Sequence, residues 1–180
     1  MPDTRPHTAP LIVTATLPPD LQAWANRLRE AHYPPERNHL AAHVTLFHAL
    51  PWRLEDEARH LLASLAASTP PVHATLSGVM DLGTGTALRI DSPDLLELRA
   101  EIADHFHGMI GAQDSHEPRL HITVQNKVQR KLAWALQDEL GAQFSPRAFA
   151  FAGLALHRYL GGPWETLGRW AFRGSARRKA

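Results

Sequence analysis

Cysteine is absent from the 180 residues. That excludes disulfides, thiolate zinc sites, iron–sulfur clusters and a cysteine nucleophile, and it fits a reducing cytoplasm. Net charge is also nearly absent: 19 Lys and Arg face 18 Asp and Glu, a formal charge of +1. Long-range attraction to duplex nucleic acid or to an acidic membrane is therefore not built into the bulk charge. No run approaches the ~18 consecutive apolar residues of a membrane span, and the N-terminal residues lack the apolar stretch of a secretory signal. What remains is ordinary globular composition, 44% hydrophobic and 21% charged. A chain of this length buries roughly 70% of the surface it exposes when unfolded, enough for one good core. Histidine is plentiful, with twelve copies, so position has to decide which ones matter.

The two ends read as tails: a Pro- and Thr-rich segment over 1–10, expected to be disordered, and a basic one over 173–180 with Arg177, Arg178 and Lys179. Between them, 11–172 reads as a single bilobal domain. Leu11–Leu17 is a strand candidate, and Pro18-Pro19-Asp20 opens a helix to about Ala31, with Leu21, Trp24, Ala25 and Leu28 at helical spacing. His43–Phe47 is the next strand and Leu54–Ala67 the next helix. Val72–Leu82 and Thr86–Ile90 read as a hairpin about Gly83-Thr84-Gly85. The order then restarts: a helix from Pro93 to about Met109, a strand over His121–Gln125, a helix over Gln129–Leu140, a strand over Phe149–Leu160, a Gly161-Gly162-Pro163 turn, and a strand over Trp164–Phe172.

The halves share a register as well as a plan. His43 and Thr45 recur 78 positions later as His121 and Thr123, and the same offset carries Gly83 to Gly161. This indicates an internal duplication, with repeats over about 11–90 and 91–172. The expected fold class is α+β: bilobal, with mostly antiparallel sheets lining a central cleft and helices on the outer faces.

His43-Val44-Thr45-Leu46 and His121-Ile122-Thr123-Val124 carry the chemistry. Side chains alternate along a strand, so His and Thr at i and i+2 share a face, and two-fold-related copies can meet in one cleft. Two imidazoles suit phosphoryl transfer without a metal. With an unperturbed pKa of ~6.5, one can act as base and the other as acid, while the threonine hydroxyls hold the non-bridging oxygens. A single His-x-Thr is weak evidence, but two copies at equivalent positions of a repeat are much more specific.

On these residues, and on the duplicated order of elements over roughly 11–172, the chain resembles the 2H phosphoesterase superfamily. That group includes bacterial RNA 2′,3′-cyclic phosphodiesterases often labelled 2′-5′ RNA ligase-like. The resemblance implies metal-free hydrolysis of 2′,3′-cyclic phosphates to 2′-phosphates, with His43 and His121 as acid and base and Thr45 and Thr123 binding the phosphate. Many members carry Arg-Pro before the second histidine and an Arg soon after it; this chain has Pro118-Arg119-Leu120 and Gln125-Asn126-Lys127. By strand alternation Arg119, Gln125 and Lys127 fall on the His121 face, and Phe47 on the His43 face. Arg119 is a candidate phosphate cation. Lys127 is either a phosphate contact or a solvated strand end. Phe47 either stacks on a base or packs the cleft wall. His48 falls on the face opposite His43. Tyr159 and Trp164 flank the last turn and either stack on a base or pack, with core or hairpin packing the favoured reading. No cofactor and no metal site is expected. The expected partners are RNA 3′ ends or small cyclic nucleotides, with no membrane and no obligate protein partner, for a monomer in the cytoplasm. The alternatives are a 2′-5′ ligase or transferase working the same cleft in reverse, and a non-catalytic module that holds an RNA end or nucleotide.

Overall fold

A computed structural model describes residues 8–175. Most of the N-terminal tail, and Arg177, Arg178 and Lys179, lie outside the described residues. Eight strands and four α-helices follow the order β1 (Leu11–Thr16), α1 (Pro19–His32), β2 (Val44–Leu50), α2 (Glu55–Ser68), β3 (Val72–Asp81), β4 (Thr86–Asp91), α3 (Pro93–His105), β5 (His121–Gln125), α4 (Arg130–Gln143), β6 (Arg147–Phe151), β7 (Gly153–Tyr159) and β8 (Trp164–Ala171). The helices start where local chemistry lets them. Pro19 and Pro93 occupy first-turn positions, where proline's missing N–H is not needed, and the Ser92 hydroxyl accepts from the Leu95 amide to cap α3.

The strands form two four-stranded antiparallel sheets, in the orders β2-β1-β7-β8 and β5-β4-β3-β6. The fold is α+β, as the pattern of elements indicated. The lobes, however, are not the successive segments 11–90 and 91–172. Each sheet combines two strands of one half with strands of the other, so β1–β2–β3 is equivalent to β4–β5–β7. Two hairpin turns share a hydrogen bond at the 78-residue offset, although their second strands, β4 and β8, hold different places in the two sheets. Leu82 N–H donates to the Gly85 carbonyl at 3.0 Å, and Leu160 N–H to the Pro163 carbonyl at 3.0 Å. Gly83 and Gly161 hold φ of +81° and +89° in these turns, a left-handed conformation that suits glycine.

The stretch 149–160, which reads as one strand, is broken at Ala152: β6 pairs with β3 in one sheet and β7 with β1 in the other. Gly153 sits at this crossing. A Cβ there would lie 2.3 Å from the Trp170 carbonyl oxygen, so only glycine lets β7 approach β8 so closely. A single apolar cluster joins both sheets, from Leu11, Val13, Leu21 and Phe47 to Leu88, Ile102, Ile122 and Phe151. Residues next to the terminal segments are tied down: Tyr159 N–H donates to Pro10, and Arg173 and Gly174 N–H groups to Ala66 and Thr69. Among the described residues, no helix is long and apolar enough to cross a membrane.

Candidate active site

The two motif strands are edge strands, β2 of one sheet and β5 of the other. They are brought side by side, so that His43, Thr45, His121 and Thr123 all line one cavity of about 360 Å³. In each copy the imidazole is fixed the same way. His43 Nδ1 lies 2.8 Å from the Ala41 carbonyl oxygen, and His121 Nδ1 lies 2.6 Å from the Arg119 carbonyl oxygen. A carbonyl only accepts, so Nδ1 carries the hydrogen in both rings, and in the neutral ring Nε2 is the free basic nitrogen. Burial lowers the His43 pKa to about 4, with Arg29, His157 and His121 adding to the fall and the Ala41 carbonyl opposing it. His43 is therefore an unprotonated imidazole at neutral pH, able to accept a proton.

A β-bulge follows each motif at equivalent positions. Between the pairs Thr14–Thr45 and Val13–Phe47, β2 has one residue more than β1. Between Ala87–Thr123 and Thr86–Gln125, β5 has one residue more than β4. An extra residue reverses the alternation beyond it. This corrects three expectations. Phe47 is fully buried beneath the Arg99 guanidinium, 4.4 Å from its ring centroid, and offers no surface to a base. Gln125 is buried, its amide oxygen accepting from the Thr86 hydroxyl at 3.0 Å. His48, assigned by alternation to the far face, lines the cleft with His43 and Thr45. Lys127 is also displaced: β5 stops at Gln125, Lys127 adopts φ of +60° in the following turn, and it does not line the cleft. Arg119 does line the cleft, on the loop entering β5.

Sequence reasoning missed what holds the two edges together. Arg29 on α1 is buried, and its Nη1 donates to the Thr123 carbonyl at 2.8 Å. Arg99 on α3, also buried, donates through Nε to the Leu46 carbonyl at 3.3 Å and through Nη2 to the Asp114 carbonyl at 2.5 Å. Each arginine thus bonds the backbone of a motif strand, where strand-edge carbonyls would otherwise be unpaired. Asp114 fastens the loop before β5 onto β2: its carboxylate accepts the His48 and Ala49 amides, each at 2.8 Å. Burial opposes ionisation there, but the bonds from the His48 ring and from the His48 and Ala49 amides outweigh it and hold the carboxyl below its usual range. An arginine at helical position among apolar residues was the only signal, and it reads equally well as a surface cation.

Trp164, at the start of β8, belongs to the cleft as well as to the hairpin. It lies 4.5 Å from the His43 ring and 5.2 Å from the His157 ring, between centroids, and forms a wall of the cleft. Tyr159 is exposed on the hairpin. Among the described residues, no group of three or more His, Asp or Glu side chains is placed to hold a metal ion.

This arrangement has relatives. A family model described as the 2′-5′ RNA ligase superfamily matches residues 17–163. The chain belongs to that superfamily. Solved structures with the same fold include TT0787 of Thermus thermophilus, with a TM-score of 0.63 at 18% identity over 93% of this chain and 100% of that one. Another is E. coli LigT complexed with 3′-AMP, with a TM-score of 0.57 at 19% identity over 92% of this chain and 98% of that one. No curated protein sequence matches the chain. Membership of a superfamily of phosphoesterases and ligases makes the doubled His-x-Thr cleft a candidate phosphodiester site.

Proposed function

We propose that the protein is a metal-independent cyclic phosphodiesterase, opening the 2′,3′-cyclic phosphates of RNA ends or nucleotides to 2′-phosphates. One observation carries the reading: two imidazoles, each anchored at Nδ1 by the carbonyl two residues before it, line one cavity from opposite sheet edges. In-line displacement at phosphorus needs a base and an acid on opposite sides, and imidazoles carried on the edges of two different sheets suit those roles. Unprotonated His43 takes the proton of the attacking water. The new P–O bond forms as the bond to the ribose 3′ oxygen breaks, and His121, as the general acid, gives a proton to that oxygen. The hydroxyls of Thr45 and Thr123 donate to the non-bridging oxygens, and Arg119 offers a cation at the cleft rim. E. coli LigT, of the same fold, is complexed with a nucleotide, 3′-AMP, which supports a nucleotide-sized substrate here. The cysteine-free composition fits a reducing cytoplasm as the place of action.

The test is turnover of a 2′,3′-cyclic nucleotide in excess EDTA. The expected result is chelator-resistant hydrolysis to the 2′-phosphate, reduced by ~10²-fold or more in both His43→Ala and His121→Ala. Activity abolished by EDTA and restored by a divalent ion overturns the metal-free mechanism. Binding without turnover assigns the cleft to a nucleotide-holding module instead.

A further inference from the structure

Beside the cleft, across the ring pair of His43 and Trp164, lies a larger cavity of about 520 Å³. Both cavities are bordered by those two rings. We propose that this cavity is a second nucleotide subsite, which receives the nucleotide preceding the reacting one. The preferred substrate is then an RNA chain end, not an isolated cyclic nucleotide. The inference rests on the reading of the cleft as the site of the cyclic phosphate.

Three features carry it. The first is charge. No Asp or Glu lines the second cavity, whereas Asp114 and Glu117 line the cleft. The cavity is lined instead by Arg169 and by neutral hydrogen-bonding side chains, Thr14, Thr16, His39 and Thr166 among them. Arg169 is exposed, and among the described residues no carboxylate pairs with it. Such a lining supplies one positive charge and no carboxylate to repel an anion.

The second feature is register. Thr45 pairs with Thr14, Thr14 with Ala155, and Ala155 with Arg169, so the four form one row across the sheet. A bulge in β8, one extra residue between Gly168 and Thr166, keeps Arg169 and Thr166 on the same face as His157. Arg169 therefore stands three strand spacings, about 14 Å, from the threonine assigned to the reacting phosphate. It lines the same cavity as Thr14, which pairs directly with Thr45. The phosphodiester joining the last two nucleotides of a chain falls between Arg169 and Thr45, and a cyclic mononucleotide has no such phosphate.

The third feature is the shared wall. Trp164 presents a large aromatic surface where the two cavities meet, and single-stranded nucleic acid is bound by cationic grooves interleaved with such platforms. The cavity's size falls within the ~300–1,000 Å³ usual for organic ligands.

The experiment compares a cyclic mononucleotide with a dinucleotide of the same terminal base ending in a 2′,3′-cyclic phosphate. kcat/KM is measured for the wild type, Arg169→Gln and Arg169→Lys. A parallel equilibrium titration uses the corresponding 2′-monophosphates, which need no turnover. The wild type is expected to favour the dinucleotide by about tenfold or more, and Arg169→Gln to lose about tenfold on the dinucleotide alone, with partial recovery in Arg169→Lys. Equal treatment of the two substrates by the wild type, or an equal loss on both in Arg169→Gln, overturns the subsite. If neither cyclic compound is hydrolysed, the titration still decides. A dinucleotide preference abolished by Arg169→Gln upholds the subsite while the hydrolytic reading falls, and no preference overturns the subsite.

Discussion

Replacing His157 by Gln tests the electrostatics of the sheet beneath the site. The His157 ring is buried between two hydroxyls, with Thr14 Oγ1 at 2.9 Å from Nε2 and Thr166 Oγ1 at 3.1 Å from Nδ1. Burial, and secondarily the charge of Arg169, lowers its pKa to about 4. The unfolded chain titrates near ~6.5, so between those values the unfolded state binds the extra proton and the folded state does not. His157 therefore costs nothing above about pH 6.5, costs progressively more as pH falls toward about 4, and levels off below. Linkage puts the loss at about 2 kcal/mol by pH 5 and about 3 kcal/mol at the plateau. Gln keeps a hydrogen-bonding side chain at the position and removes the titration. Urea unfolding of both proteins at about pH 7.5 and about pH 5 reads the difference. Wild type should lose about 2 kcal/mol more than His157→Gln between the two conditions; His43, with its own lowered pKa, accounts for loss that both proteins share. The same loss in both would show that the folded-state imidazole of His157 protonates as readily as in the open chain.

Three further outcomes bear on the scaffold. Phe47→Leu should lower the thermal midpoint, as expected of a core aromatic, while KM for a cyclic nucleotide stays within about twofold; a tenfold rise in KM would restore a substrate-stacking role. Arg29→Met strands the Thr123 carbonyl and should cost about 2–4 kcal/mol in chemical denaturation. In the folded fraction kcat should fall more than KM rises, because the His121 strand shifts relative to His43, and an unchanged kcat would limit Arg29 to a stabilising role. Gly153→Ala places a Cβ 2.3 Å from the Trp170 carbonyl oxygen and should destabilise by about 2 kcal/mol or more; calorimetry showing no loss would mean β7 and β8 can part without cost.

The sequence by itself determined the parts that depend on local periodicity and on repetition. Helical spacing with proline starts located α1 and α3, period-two runs located the strands, and the 78-residue offset revealed the duplication and the paired His-x-Thr motifs. These survive because each is a property of a short segment, read against itself. Tertiary structure decided three things that no segment contains. Which face Phe47, Gln125 and His48 present depends on how many residues the neighbouring strand sets opposite them, and one extra residue in β2 and in β5 reverses the answer. Which strands make each lobe depends on the crossing at Ala152 and Gly153, where a stretch that reads as continuous leaves one sheet for the other. And the bond from Arg29 to the Thr123 carbonyl joins residues 94 positions apart. A buried guanidinium needs hydrogen-bond acceptors, and only the folded chain brings the Thr123 carbonyl to Arg29.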